Sequence, residues 1–237
     1  MAHLITSSLL DGFAWLQDCP ASWKAKANEE FIGTIRRCKT WQPTPEAQRG
    51  MDFEALICQN CNTYDEPEFM AVMQEHFMRQ LEADTSVAEN DRINYWKRIS
   101  DVCRTFYAEC KGGEQQVKVA KELEVFGENY LVFGYADIVH PHAVLDIKTT
   151  TKYKDASKYL KRAQHHAYVY ALGINKFEYI VADYRNTKYP LNIERIDASS
   201  TPDASASVLK GRIHNMVTYI KRYNLWDDYV TLFSKGK

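Results

Sequence analysis

Asp146 and Lys148 stand two residues apart in "VLDIKTT", residues 144 to 150. A β-branched run precedes them and threonines follow, so the stretch reads as a strand. Residues two apart in a strand point to the same face. Asp146 and Lys148 therefore share a face, and Ile147 turns the other way, toward a core. Upstream, "GYAD" sets Asp137 near the end of the preceding strand. A hairpin around "HPH" at 140–142 would bring Asp137 beside Asp146. Two carboxylates and one ammonium would then share a pocket. Clustered carboxylate oxygens suit Mg²⁺ or Mn²⁺, and a lysine among them can contact an attacking water or a phosphate oxygen. Taken alone, an Asp-x-Lys triplet is more often a surface ion pair, so the rest of the chain has to decide.

The surrounding elements follow from periodicity and punctuation. "TSSLLDGFAWLQDCPASWKAKA" reads as a helix capped by Thr6 or a following serine. "PTPEAQRGMDFEALICQNC" reads as a second, started near Pro45. A charged helical region runs from about Glu66 to Cys110, and "KGG" at 111–113 breaks it. "VAKELEVFGENYLVFGYADIVHPHAVLDIKTTT" then changes period and predicts a three-stranded meander, cut by "GEN" and "HPH". Asp155 and Gly173 frame a helix as its caps. "FEYIVADY" and "YPLNIERID" predict two more strands, and a closing helix begins near Pro202. The fold class predicted is α/β: a sheet with helices beside it, preceded by a helical region.

The chain of 237 residues is 45% hydrophobic and 26% charged, with a net charge of −1, an ordinary globular composition. That balance neither points to nucleic acid nor excludes it, since phosphate contact needs only a local basic patch. No apolar run is long enough to span a bilayer, and "MAHLITSSLL" lacks the pattern of a secretion signal. A cytoplasmic protein is the expectation, with no membrane partner. The six cysteines are then expected as free thiols. Cys58 and Cys61 have the spacing of half a metal site, but no second pair follows.

Taken in order, "GYAD", "LDIKTT" and "QHHAY" resemble the PD-(D/E)XK nuclease superfamily, and within it the RecB-like branch, which includes phage recombination exonucleases. The branch's GxxD element matches Gly134 to Asp137, its DxK element Asp146 to Lys148, and its QxxxY element Gln164 to Tyr168. "RGMDFE" matches the branch's glycine-then-acid helix with Gly50 and Glu54, and "SSLLDGFAWLQDCPASW" resembles its opening helix. The resemblance implies a restriction-endonuclease-like mixed sheet flanked by helices, forming one nuclease domain over 1–237. Its parts would be a mainly helical region at 1–113, the catalytic sheet and QxxxY helix at 114–200, and a closing helix at 201–237.

The same resemblance implies roles. Asp137, Asp146 and Glu54 would bind Mg²⁺ or Mn²⁺, with the backbone carbonyl of Ile147 completing the protein's oxygens. Lys148 would orient or help deprotonate the nucleophilic water. Gln164 and Tyr168 would sit near the active site and position the DNA backbone and the lysine. Lys152, Lys154, Lys158, Lys161 and Arg162, the densest basic stretch, would contact DNA; Lys161, one turn before Gln164, should face the same groove. Tyr153 and Tyr159 suit either base stacking or burial. A metal role for His165 and His166 is not expected, and His140 and His142 are expected in an exposed turn. Some RecB-like nucleases carry an iron–sulfur cluster on one early and three late cysteines. Cys19 resembles the first, but nothing after Cys110 is cysteine, so no cluster is expected.

The activity implied is a metal-dependent deoxyribonuclease, an exonuclease resecting linear duplex DNA. A single-strand annealing protein and a homo-oligomeric ring are further implied partners. The alternatives are a single-strand or structure-selective endonuclease, a cluster-free nuclease of the CRISPR-adaptation kind, and a catalytically retired DNA-binding or inhibitory protein of the same fold.

Overall fold

The computed structural model describes residues 2–36, 42–185 and 187–233, so Cys38 lies outside the described residues. The chain opens with a strand, β1 (His3–Thr6), that sequence reading missed. Four residues are too few for alternation to register, and the parallel partner lies far along the chain. Thr6 ends it and caps α1 (Ser7–Asp18), accepting from Leu9 N at 3.2 Å. The helix expected across 6–27 is broken at Cys19-Pro20. A residue before proline is driven to extended backbone, and Cys19 has φ −65° and ψ 151°. A 3-10 turn (Ala21–Trp23) leads into α2 (Lys24–Arg36).

Helix α3 (Pro45–Cys61) starts as expected, with Thr44 accepting from Ala47 N. The charged region is two helices, α4 (Glu66–Ala83) and α5 (Glu89–Cys110), the first opened by a reciprocal Asp65/Glu68 cap. The meander is β2 (Glu114–Val125), β3 (Glu128–His140) and β4 (Ala143–Thr150). Phe126 and Gly127 turn the first hairpin with φ +51° and +83°, as the twist of a two-residue loop requires.

The helix framed by Asp155 and Gly173 is in fact two pieces, α6 (Ser157–Leu160) and α7 (Gln164–Leu172). Asp155 Oδ1 accepts from Ser157 N at 2.7 Å, a local turn rather than the cap of one long helix. Gly173 closes α7 with φ +74°. Strands β5 (Lys176–Asp183) and β6 (Asn192–Asp197) follow, then α8 (Pro202–Arg222), capped by Thr201, and α9 (Trp226–Phe233).

The six strands form one mixed sheet in the order β1-β3-β4-β5-β6, with β2 on the other edge of β3. One face carries a core built with α1, α2, α7, α8 and α9; the other packs against α3, α4 and α5. This is the predicted α/β class, a mixed sheet flanked by helices on both faces. Among the described residues no helix is long and apolar enough to cross a membrane.

Two features of the sheet prepare the site. Along one side of β3, residues 130–133 pair with β1 and residues 138–140 with β4, so β4 diverges from β3 over the stretch that ends in Asp137. At that level the strands also change facing. Ala136 belongs to one core and Ile138 to the other, although residues two apart in a regular strand share a face.

Candidate active site

The β4 parity is as the sequence predicts. Ile147 is buried in the core against α3–α5, and Asp146 and Lys148 share the opposite face as an ion pair, Lys148 Nζ to Asp146 Oδ2 at 2.5 Å. It is no surface pair, because Asp146 is wholly buried. Its Oδ1 accepts from Gln164 Nε2 at 2.6 Å, while Oδ2 faces the Lys148 ammonium. Lys148 Nζ also donates to the Ile147 carbonyl at 3.4 Å.

Asp137 stands where β3 and β4 part. Its Oδ2 accepts from Ile147 N at 2.9 Å, so a side chain takes over a backbone donor that the diverging ladder leaves unpaired. Glu54 comes from α3 on the other face. Its carboxylate and that of Asp137 are linked through Gln116 Nε2, 3.2 Å from Glu54 Oε1 and 3.4 Å from Asp137 Oδ1.

Burial and mutual repulsion govern the charges. Burial pushes Asp146 up to about 7, against the pull of Lys148 and with help from Asp137. Asp137 is raised to about 6 by burial, with Glu54 adding to it. Burial raises Glu54 as well, and Asp146 adds to it. Burial works to lower Lys148, but the Asp146 and Asp137 carboxylates outweigh it and leave the ammonium raised. Three acids that resist ionisation around one lysine make a concentrated acceptor of positive charge.

The motif glycines have steric causes. A Cβ on Gly50 would lie 2.3 Å from Thr149 Oγ1, so only glycine lets α3 come down on β4 next to Lys148, one helical turn before Glu54. A Cβ on Gly134 would lie 2.8 Å from Tyr168 Cε1 and 2.9 Å from its hydroxyl. Tyr168 lies over that glycine and donates to the Tyr135 carbonyl at 2.7 Å. Gln164 and Tyr168 thus divide their work: one holds Asp146, the other clamps β3 just before Asp137.

No protein-family model matches the sequence, and no curated protein does. Among solved structures the chain is similar to SSO0001, at 13% identity and a TM-score of 0.47, over 92% of this chain and 77% of that one. It is also similar to the alkaline exonuclease LHK-Exo from Laribacter hongkongensis, at 12% identity and a TM-score of 0.45, over 97% and 91% of the two chains. The structure of LHK-Exo in complex with dAMP gives 12% and 0.46, over 96% and 90%. Likenesses this distant speak to no residue of the site, whose chemistry stands on its own geometry.

The basic stretch behaves differently from expectation at one residue. Lys161 lies in the break between α6 and α7, not on the helix of Gln164, because that helix is interrupted. It lines a cavity with Lys158, Arg162, Asp11 and Trp15. Lys152, Lys154 and Lys158 are exposed. Lys158, Arg49 and the hydroxyl residues Thr149, Thr150 and Thr151 line a second cavity at the end of β4. Tyr159 is buried, and Tyr153 stacks on it with centroids 6.3 Å apart.

His165 and His166 face away from the acids. His165 Nδ1 meets Tyr179 Oη at 3.1 Å, and His166 Nδ1 meets Ser205 Oγ at 3.3 Å. Burial holds them neutral, down at about 3 and about 4. His140 departs from the exposed turn expected of it: its Nε2 meets the Glu109 carbonyl at 2.8 Å and it is half-buried. Cys58 and Cys61 are buried in the α3–α5 core, and burial pushes the Cys58 thiol up to about 12, far from a thiolate.

Sequence reading missed two residues. Asp11, on α1, accepts from Ala163 N at 2.6 Å and so steadies the backbone just before Gln164. Gln116 bridges two acids from different elements. Neither carries a local signal, since an aspartate in a helix and a glutamine in a strand are commonplace.

Among the described residues, no three His, Cys, Asp or Glu side chains converge into a ready-made metal group. Three side-chain donors lie among the acids, the Lys148 ammonium and the Gln116 and Gln164 amides. The donor set nevertheless fits a hard divalent ion. It is all oxygen, and two of its oxygens, Asp146 Oδ2 and the Ile147 carbonyl, already hold a cation in Lys148.

Proposed function

We propose that this chain is a divalent-metal-dependent deoxyribonuclease of the PD-(D/E)XK superfamily, RecB-like branch. The observation that carries the reading is Asp146 gripped by Lys148 and Gln164, within electrostatic reach of Asp137, which Gln116 links to Glu54. Three acids that resist ionisation and one ammonium suit attack by water on a phosphodiester.

Glu54, Asp137, Asp146 and the Ile147 carbonyl are the residues to hold Mg²⁺ or Mn²⁺. When bound, the ion activates water near neutral pH and neutralises charge developing on the phosphate. Lys148 Nζ keeps its proton while the acids surround it, so it orients water and offers a positive charge to a phosphate oxygen. Gln164 fixes which Asp146 oxygen faces the site. Lys152, Lys154, Lys158, Lys161 and Arg162 form the cationic approach for the DNA backbone. The exonuclease mode on linear duplex, serving recombination or repair, is the form proposed. An annealing protein and a homo-oligomeric ring are the partners that mode would use.

The test is cleavage of linear duplex, closed circular duplex and single-stranded DNA with Mg²⁺ and with EDTA. Progressive loss of linear duplex, poor attack on circles and no activity in EDTA are expected. Undiminished cleavage in excess EDTA would overturn the metal reading. Circles cut as fast as linear DNA would replace exonuclease with endonuclease.

A further inference from the structure

Gln116 has a backbone that its sequence does not explain. It lies within β2 yet has φ +48°, a left-handed conformation that a non-glycine residue adopts at a cost. The β2–β3 ladder pairs Gln115 with Ile138 and Val117 with Ala136, skipping Gln116 and Asp137 between them. Both strands change facing at this level. Gln115 Nε2 reaches Cys61 Sγ at 3.1 Å on the α3 side, whereas Val119 belongs to the opposite core. Gln116 fills no core, since its side chain is exposed. What the conformation achieves is an amide aimed at two carboxylates, Glu54 from α3 and Asp137 from β3.

We propose that Gln116 is a positioning residue for the metal: its amide gathers Glu54 and Asp137 into one oxygen face and thereby sets how tightly the site takes a divalent cation. This rests on the nuclease reading above. The chemistry favours a neutral donor here. A lysine in its place would add a competing positive charge, and an acid would add repulsion to a cluster already reluctant to ionise. An amide N–H occupies one lone pair on each acid and leaves others for a cation. Hydrogen-bonded partners of metal-ligating carboxylates typically govern affinity by about 10- to 100-fold.

The experiment is calorimetric titration of the DNA-free protein with Mn²⁺. Gln116→Gly keeps the left-handed backbone, which glycine adopts freely, and removes the exposed side chain with its amide. Gln116→Asn also tolerates that conformation but is too short to span both acids. Both should fold by circular dichroism and bind Mn²⁺ about tenfold more weakly or worse. Their kcat at limiting Mn²⁺ should fall and recover at high Mn²⁺, with KM for DNA unchanged. A folded Gln116→Gly or Gln116→Asn that binds Mn²⁺ as the parent does overturns the proposal. So does a kcat that excess Mn²⁺ fails to restore, which would mean direct contact with DNA. If the parent itself shows no Mn²⁺ binding sensitive to Glu54→Gln and Asp137→Asn, the metal site reading has failed, and that result is distinct from the other two.

Discussion

Substituting Gly134 by alanine should damage the protein through Tyr168 and not through backbone conformation. The added methyl would sit 2.8 Å from Tyr168 Cε1 and 2.9 Å from its hydroxyl. Carbons rest at about 3.5–4.0 Å, so one side must give by roughly 0.7 Å or more. The ring has little room to move, because Tyr168 is 4% exposed and its hydroxyl is tied to the Tyr135 carbonyl at 2.7 Å. Overpacking of this kind costs about 1–3 kcal/mol, and losing the hydroxyl bond adds about 1 kcal/mol. The sum, about 2–4 kcal/mol, lowers Tm by roughly 5–15 °C for a chain of this size. A double-mutant cycle with Tyr168→Leu isolates the cause. Leucine lacks the ring edge and hydroxyl, so Gly134→Ala should cost little in that background, with a coupling of at least about 1 kcal/mol. Equal cost in both backgrounds, measured by denaturant unfolding, would refute the argument and place the glycine's role in the backbone.

Other outcomes follow from the same geometry. Asp137 and Asp146 hold their protons up to about 6 and about 7, and a cation needs them ionised, so Mn²⁺ affinity should rise steadily from about pH 5.5 to about pH 8; a flat calorimetric profile would contradict the raised acids. Asp146→Ala should abolish cleavage yet leave a folded protein, because burial already penalises the Asp146 charge by more than Lys148 stabilises it; circular dichroism and the nuclease assay check both halves. Lys148→Ala should lower kcat by orders of magnitude with little change in DNA affinity, whereas Lys161→Ala should weaken binding and flatten its salt dependence; near-normal turnover by Lys148→Ala would sink the proposed role. His166 is depressed to about 4 from an ordinary 6.5, so its contribution is complete above pH 6.5 and is lost as pH falls toward 4. That loss is about 2 kcal/mol by pH 5. His166→Gln should lack this component when unfolding curves at pH 5 and pH 7 are compared with those of the parent.

Sequence alone carried the side-chain parity of β4, the Asp137–Asp146 hairpin, the caps at Thr6 and Gly173, and the order of the strands from β2 to β6. These are local: strand alternation, turn chemistry and capping are written in a few consecutive residues. Glu54, Gln164 and Tyr168 entered as expectations from a resemblance, while the contacts that Gly50 makes with Thr149 and Gly134 with Tyr168, far away in the chain, are visible only in the fold. What failed were features set at long range. Strand β1 exists because β3 accepts it in parallel. The helix of Gln164 is interrupted at Lys161, and Asp11 of α1 holds the backbone at that break. Gln116 takes a left-handed backbone that its local sequence disfavours. Only tertiary structure decides that an ordinary strand glutamine meets a helix acid and a strand acid together, because no pattern within a strand records which partners its side chains will find once both faces of the sheet are covered.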